Sequence, residues 1–181
     1  YFGDAHPSSL KSYDTDGYVM HCASFSKSLT TVSRIGWALP GRYRDQVEKL
    51  KFLNTLTTPT IPQQAIAEYL EHDGYEHHLR QVRKLFAQQA NMMRAAVQRF
   101  FPAGTRTSQP RGGYVLWVEL PSGIDSMKLY EQALSRGITI GPGTMFSVSD
   151  AYRHFIRLNY SYAWTREIDE AIKTIGQLAA D

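Results

Sequence analysis

Ser24-Phe25-Ser26-Lys27-Ser28-Leu29, followed by Arg34-Ile35-Gly36-Trp37, is the stretch on which the reading of this chain turns. It lies between two short apolar runs, Tyr18-Val19-Met20-His21-Cys22 and Ile35-Gly36-Trp37-Ala38-Leu39, the second stopped by Pro40-Gly41. Runs this short and this apolar predict buried strands of a sheet covered on both faces. Two strands do not make a sheet, so their neighbours are expected from sequence outside this chain. A lysine in a serine-rich loop is, by itself, a solvated side chain. Set between buried strands it should be partly enclosed, and enclosure lowers an ammonium's pKa toward that of a nucleophilic amine. The hydroxyls of Ser24 and Ser26 and the guanidinium of Arg34, seven residues beyond the lysine, can together hold a phosphate dianion.

Composition sets the outer limits. The chain has 181 residues, 43% hydrophobic and 20% charged, which is ordinary for a globular protein and too apolar for disorder. No apolar run approaches the roughly 20 residues a membrane span needs. The net charge of +3 comes from interspersed basic and acidic residues and does not argue for nucleic acid. The single Cys22 cannot form an internal disulfide, which fits a reducing cytoplasm. The opening Tyr1-Phe2-Gly3 is neither an initiator Met nor a signal sequence, and it is expected to fall in the middle of a longer protein.

From Gly41 the pattern turns helical. Residues 42–53 place Val47, Leu50 and Leu53 on one stripe, and 63–72 place Ala65, Ile66, Tyr69 and Leu70 inward. Between them, Thr57-Thr58-Pro59-Thr60-Ile61-Pro62 reads as a break. The longest periodic segment, 75–101, repeats Leu79, Val82, Phe86, Ala90, Met93, Val97 and Phe100 every three or four residues. Beyond Pro102, strands are expected at 114–120, 138–140 and 155–160. A helix at 126–136 should close on Gly137, and a last one should be capped by Thr165 with Ile168, Ala171, Ile172 and Ile175 inward. This order predicts an α+β domain with helices on one face of a small sheet.

A reactive lysine beside a phosphate clamp is the arrangement that pyridoxal phosphate (PLP) needs. Ser-x-Ser-Lys followed by Arg-x-Gly-Trp resembles the PLP-lysine signature of the fold-type I, class I/II aminotransferases. The likeness continues in Arg111-Gly112-Gly113-Tyr114-Val115-Leu116-Trp117-Val118-Glu119-Leu120, in Arg136-Gly137-Ile138-Thr139-Ile140-Gly141-Pro142-Gly143-Thr144-Met145-Phe146-Ser147, and in Ile156-Arg157-Leu158-Asn159-Tyr160-Ser161. Each signal alone is weak; four in the family's order cover nearly the whole chain. The wording from Tyr1-Phe2-Gly3 to Gly36-Trp37 most resembles the MocR branch, GntR-type bacterial regulators that join a winged helix-turn-helix to an aminotransferase-like domain.

The resemblance implies a mixed α/β and α+β fold. Residues 1–60 would be the remnant of a PLP-binding large domain, 61–100 a helical connection and 101–181 the small α+β domain. It also implies roles. Lys27 would be the catalytic lysine that binds PLP covalently and moves the substrate's proton, with Ser24, Ser26 and Arg34 on the cofactor phosphate and Arg157 on the α-carboxylate of an amino acid. An isolated arginine in a strand is usually an ion-pairing surface residue; its place in the Arg157–Ser161 pattern argues otherwise. Two departures stand out. Thr31-Val32 replaces the frequent Pro-Gly, and the aspartate, tyrosine and glycine-rich loop that the family sets upstream of the lysine are absent. The chain alone is therefore expected to bind PLP poorly and to catalyse nothing useful.

The expected partners are an amino acid or amine, a second copy in a homodimer, and DNA only through an N-terminal domain outside this sequence. Residues 57–63 are the expected contribution to a partner copy's site. The competing reading is a free-standing aminotransferase of amino acids and 2-oxo acids. Other features have plainer readings. His72 stands five and six residues from His77 and His78, spacings that do not stack two imidazoles on one helix face, and no Cys or carboxylate completes a plausible metal set. Arg80, Arg83, Lys84, Arg94 and Arg99 read as the solvated face of a long helix. Gly141-Pro142-Gly143 lacks the lysine of a nucleotide-binding loop.

Overall fold

The computed structural model describes residues 1–3, 6–149 and 151–180. They divide into two units, one of residues 6–81 and one that joins the first three residues to the chain from Val82 onward.

In the first unit, β1 (His21–Ser24) and β2 (Gly36–Leu39) form an antiparallel ribbon in which Ser24 faces Gly36. A short 3-10 helix, Phe25–Lys27, leaves the end of β1. Then come α1 (Arg44–Thr55), α2 (Thr60–Glu71) and the first turns of α3 (Gly74–Phe100). The core is small: Phe25, Ile35 and Ile66, flanked by Leu29 and Tyr75.

Several expectations need correction here. The two strands are not buried on both faces; β2 is exposed along its whole length, and β1 nearly so. The stripe of α1 is uncovered too, with Leu50 and Leu53 exposed, and of the four residues expected inward on α2 only Ile66 is buried. Periodicity tells which face of an element is apolar, not what covers it. In addition, β1 starts later than the apolar run at Tyr18. The cause is Asp14, whose two carboxylate oxygens accept the amides of Tyr18 (2.9 Å) and Val19 (3.0 Å), so a side chain takes the donors a ladder would use. Finally, α2 begins at Thr60 rather than 63, since Pro62 sits in its first turn, where a missing N–H costs nothing.

The Asp14 carboxylate is nearly covered and also accepts from Lys11 Nζ at 2.7 Å. The Lys11 hydrogen bond, with the two amides behind it, lowers its pKa to about 2. A carboxylate with a depressed folded pKa stabilises the fold above its unfolded value near ~4, and that contribution is lost as pH falls through the folded value. The Tyr18 and Val19 amide shifts should therefore titrate with a midpoint near pH 2, and Asp14→Asn should abolish the titration. A midpoint near ~4 would mean that the carboxylate is not held.

The second unit is an α+β sandwich. Its sheet runs β3-β4-β6-β5, antiparallel throughout, from β3 (Arg106–Thr107), β4 (Val115–Glu119), β5 (Gly141–Pro142) and β6 (Phe155–Asn159). Leu116, Val118, Ile156 and Leu158 alternate onto one face. There they join Ala90, Met93 and Val97 of α3, Leu129 and Ala133 of α4 (Ser126–Leu134), and Ile172 and Ile175 of α5 (Arg166–Leu178). The expected cap is present, Thr165 accepting the amide of Ile168, and Asp125, not singled out in the sequence, accepts the amides of Met127 and Lys128.

One strand is displaced. Residues 138–140 form none, because the Ile138 amide donates to Ala133 O while that of Gly137, at φ +75°, donates to Leu134 O. This is a Schellman ending of α4, and it spends Ile138 on the helix, so the ladder starts at Gly141. Among the described residues, no helix is long and apolar enough to cross a membrane.

Candidate functional site

The sequence singled out residues that the structure places in two settings, one in each unit. In the first, Ser24, Ser26 and Arg34 come together around the turn that carries Lys27. Ser24 ends β1, and its Oγ accepts the Ser26 amide at 3.1 Å, capping the 3-10 helix. Arg34 Nη1 donates to Ser26 Oγ at 3.2 Å. The arginine stands just before β2 with φ +51°, a left-handed conformation that side chains other than glycine's seldom adopt. Gly36 is fixed by a close approach: a Cβ there would lie 2.6 Å from Ala23 O across the ribbon.

The Lys27 side chain is exposed, and among the described residues its amine has no hydrogen-bond or ion-pair partner. The enclosure expected from flanking buried strands is absent, because the ribbon itself is uncovered. What the turn provides is an exposed primary amine next to Ser26, three residues from Ser24 and seven from Arg34. These are the donors that an oxyanion beside a carbonyl carbon would need.

In the second setting Arg157 projects from β6 on the face opposite the core. Its register partners are Trp117 of β4 and Gly141 of β5. The guanidinium carbon lies 4.3 Å from the centre of the Phe146 ring. Trp117 in turn meets Phe146 edge-on at 5.5 Å and stacks on Phe155 at the same distance. Arg157 thus lies against one aromatic ring, itself packed on Trp117, and among the described residues no carboxylate pairs with it. A planar cation held flat on a ring keeps its N–H edges free for a bidentate acceptor.

Phe146 and Trp117 were not picked out as site residues. Their signal was available, since strict alternation in β4 and β6 puts Trp117 and Arg157 on the same non-core face. Of the histidines, His72 Nδ1 bonds Glu68 O, His77 bonds Gln81, and His78 bonds Ser28 O.

No family model matches the chain. Individual proteins do. It is 35% identical over 178 residues to the HTH-type transcriptional regulator YdcR of Escherichia coli (strain K12), covering 98% of this chain and 38% of that protein. Among solved structures, kynurenine aminotransferase of Pyrococcus horikoshii, crystallised with PMP, superposes with a TM-score of 0.90 at 29% identity, over 99% of this chain and 45% of that one. The α-aminoadipate aminotransferase LysN of Thermus thermophilus, crystallised with N-(5'-phosphopyridoxyl)-L-leucine, gives 0.90 at 28% identity over 99% and 47%. The chain spans less than half the length of these relatives. Its fold is that of the C-terminal portion of the PLP-dependent transferases. The chain belongs to the fold-type I, class I/II aminotransferase-like family, whose members include both HTH-type regulators and free-standing aminotransferases.

Proposed function

We propose that the chain is part of the PLP-dependent aminotransferase-like domain of a MocR-type transcriptional regulator, and that it helps to sense an amino acid or amine. The observation that carries this reading is the free Lys27 amine beside the Ser24, Ser26 and Arg34 donors. That donor set fits PLP: the two hydroxyls and the guanidinium would bind its phosphate, and Lys27 would hold it covalently. PLP, when bound, supplies an electrophilic carbonyl carbon and a ring that withdraws electrons from the ligand's Cα. Lys27, displaced by the ligand's amine, would be free to take or return the Cα proton. Arg157 would hold the α-carboxylate, its plane kept by Phe146. The homodimer, the regulator's DNA contacts and a cytoplasmic setting belong to this proposal, as does a role for residues 57–63 in a partner copy's site.

The likeness to YdcR supports the regulator, and the likeness to the two crystallised enzymes supports the alternative, a free-standing aminotransferase. Absorbance spectra of the full-length protein with PLP and a panel of amino acids separate them. The regulator reading expects a ligand-dependent shift in the cofactor band without conversion to the aminated cofactor. Multiple turnover with a 2-oxo acid would replace it with the enzyme.

A further inference from the structure

We propose that Tyr75 and His78, at the start of α3, are positioning residues that clasp the turn carrying Lys27. A 3-10 helix of three residues does not hold itself in place. Its local closure rests on Phe25 O, which accepts the amides of Ser28, Leu29 and Thr30, together with the Ser24 cap and the Arg34 bond to Ser26. Two further anchors come from α3, nearly fifty residues on. The Tyr75 hydroxyl donates to Ser28 Oγ at 2.7 Å, and His78 Nε2 bonds Ser28 O at 2.9 Å. A carbonyl oxygen only accepts, so Nε2 carries the proton in this bond.

Tyr75 and His78 stand three apart on one helix face, which lets both reach a single residue. The Tyr75 ring also meets the Phe25 ring edge-on, at 5.8 Å and 73°. Phe25 is buried in the small core with Ile35 and Ile66. The residue after Lys27 and the one that opens its turn are therefore both held by α3. Among the described residues, the amine itself is left unengaged. The backbone beneath a reactive side chain is fixed while its tip stays free, which is what a covalent anchor needs in order to meet its partner in one geometry.

This inference rests on the reading of Lys27 as the PLP lysine, so its test carries two readouts. The variants are Tyr75→Phe, which keeps the ring and removes only the hydroxyl, His78→Leu, the double variant, and His78→Gln, which restores an N–H donor. The first readout is amide exchange at Leu29 and Thr30 with no cofactor added. The double variant should exchange there about tenfold faster than wild type, with α5 amides unchanged and His78→Gln closer to wild type than His78→Leu. The second is borohydride trapping of the full-length protein with PLP: the share of pyridoxyl label on Lys27 relative to the other lysines should fall by a similar factor in the double variant and recover in His78→Gln. Unchanged exchange at Leu29 and Thr30 overturns the clasp. Faster exchange with undiminished Lys27 selectivity overturns its positioning role. Absence of label on Lys27 in wild type overturns the cofactor reading, and this inference with it.

Discussion

Arg157→Ala should weaken binding of an α-amino acid to the PLP-loaded full-length protein by about 100-fold, the equivalent of one bidentate, charge-assisted pair worth roughly 1.5–3 kcal/mol. The fold should not notice. Arg157 is exposed on the outer face of the small sheet, and its guanidinium rests on the Phe146 ring, a contact worth about 0.5–1 kcal/mol at such a site. Arg157→Lys keeps the charge but loses the planar fork and its ring stacking, so it should recover only part of the affinity. An amine without a carboxylate provides the control, because its affinity should be nearly unchanged. Spectral titration of the cofactor band measures all three. Equal losses for the amino acid and the amine would show that Arg157 supports the fold and does not read the carboxylate.

Gly176→Ala should lower the melting temperature of the second unit by roughly 10 °C. Gly176 lies buried on α5 where that helix crosses the end of α3. A Cβ there would strike the Phe100 carbonyl oxygen and lie 2.7 Å from the carbonyl carbon, with the Phe101 ring at 3.1 Å. Alanine gains about 1 kcal/mol in helix propensity over glycine. Against this stands a backbone atom that cannot rotate away, so the helices must part, and overpacking of that kind costs about 1–3 kcal/mol or more. The Ile172–Ile175 face of α5, which closes the core over the sheet, would be lifted with it. The overlap should win by about 2 kcal/mol, which in a unit of this size moves the midpoint by several degrees per kcal/mol. Thermal melts followed by tryptophan fluorescence report the change. A higher midpoint would mean that α5 moves off α3 at little cost.

What could be read in advance was whatever local periodicity controls. The long stripe from Leu79 to Phe100 became α3. The Val115–Glu119 and Phe155–Asn159 alternations became the two central strands, and Thr165 caps the last helix as expected. What escaped depends on atoms distant in sequence or on competition for backbone donors. Asp14 took the amides of the Tyr18 run, and the Schellman ending of α4 took that of Ile138. No sequence pattern says that a helix face or a strand will be left uncovered, so the α2 face and the β1–β2 ribbon were read as buried. The serine–arginine grouping around Lys27 was legible because its members lie within eleven residues. The Tyr75 and His78 bonds to Ser28 were not, at separations of 47 and 50.

The central claim is that Lys27 is the residue that carries the cofactor. The most direct measurement is to incubate the full-length protein with PLP, reduce it with borohydride and map the pyridoxyl label by peptide mass spectrometry. A single dominant label on Lys27, lost in Lys27→Ala and weakened in Arg34→Ala, is the result this account predicts. Label spread over exposed lysines without preference, or none on Lys27, would contradict it and leave an aminotransferase fold without aminotransferase chemistry.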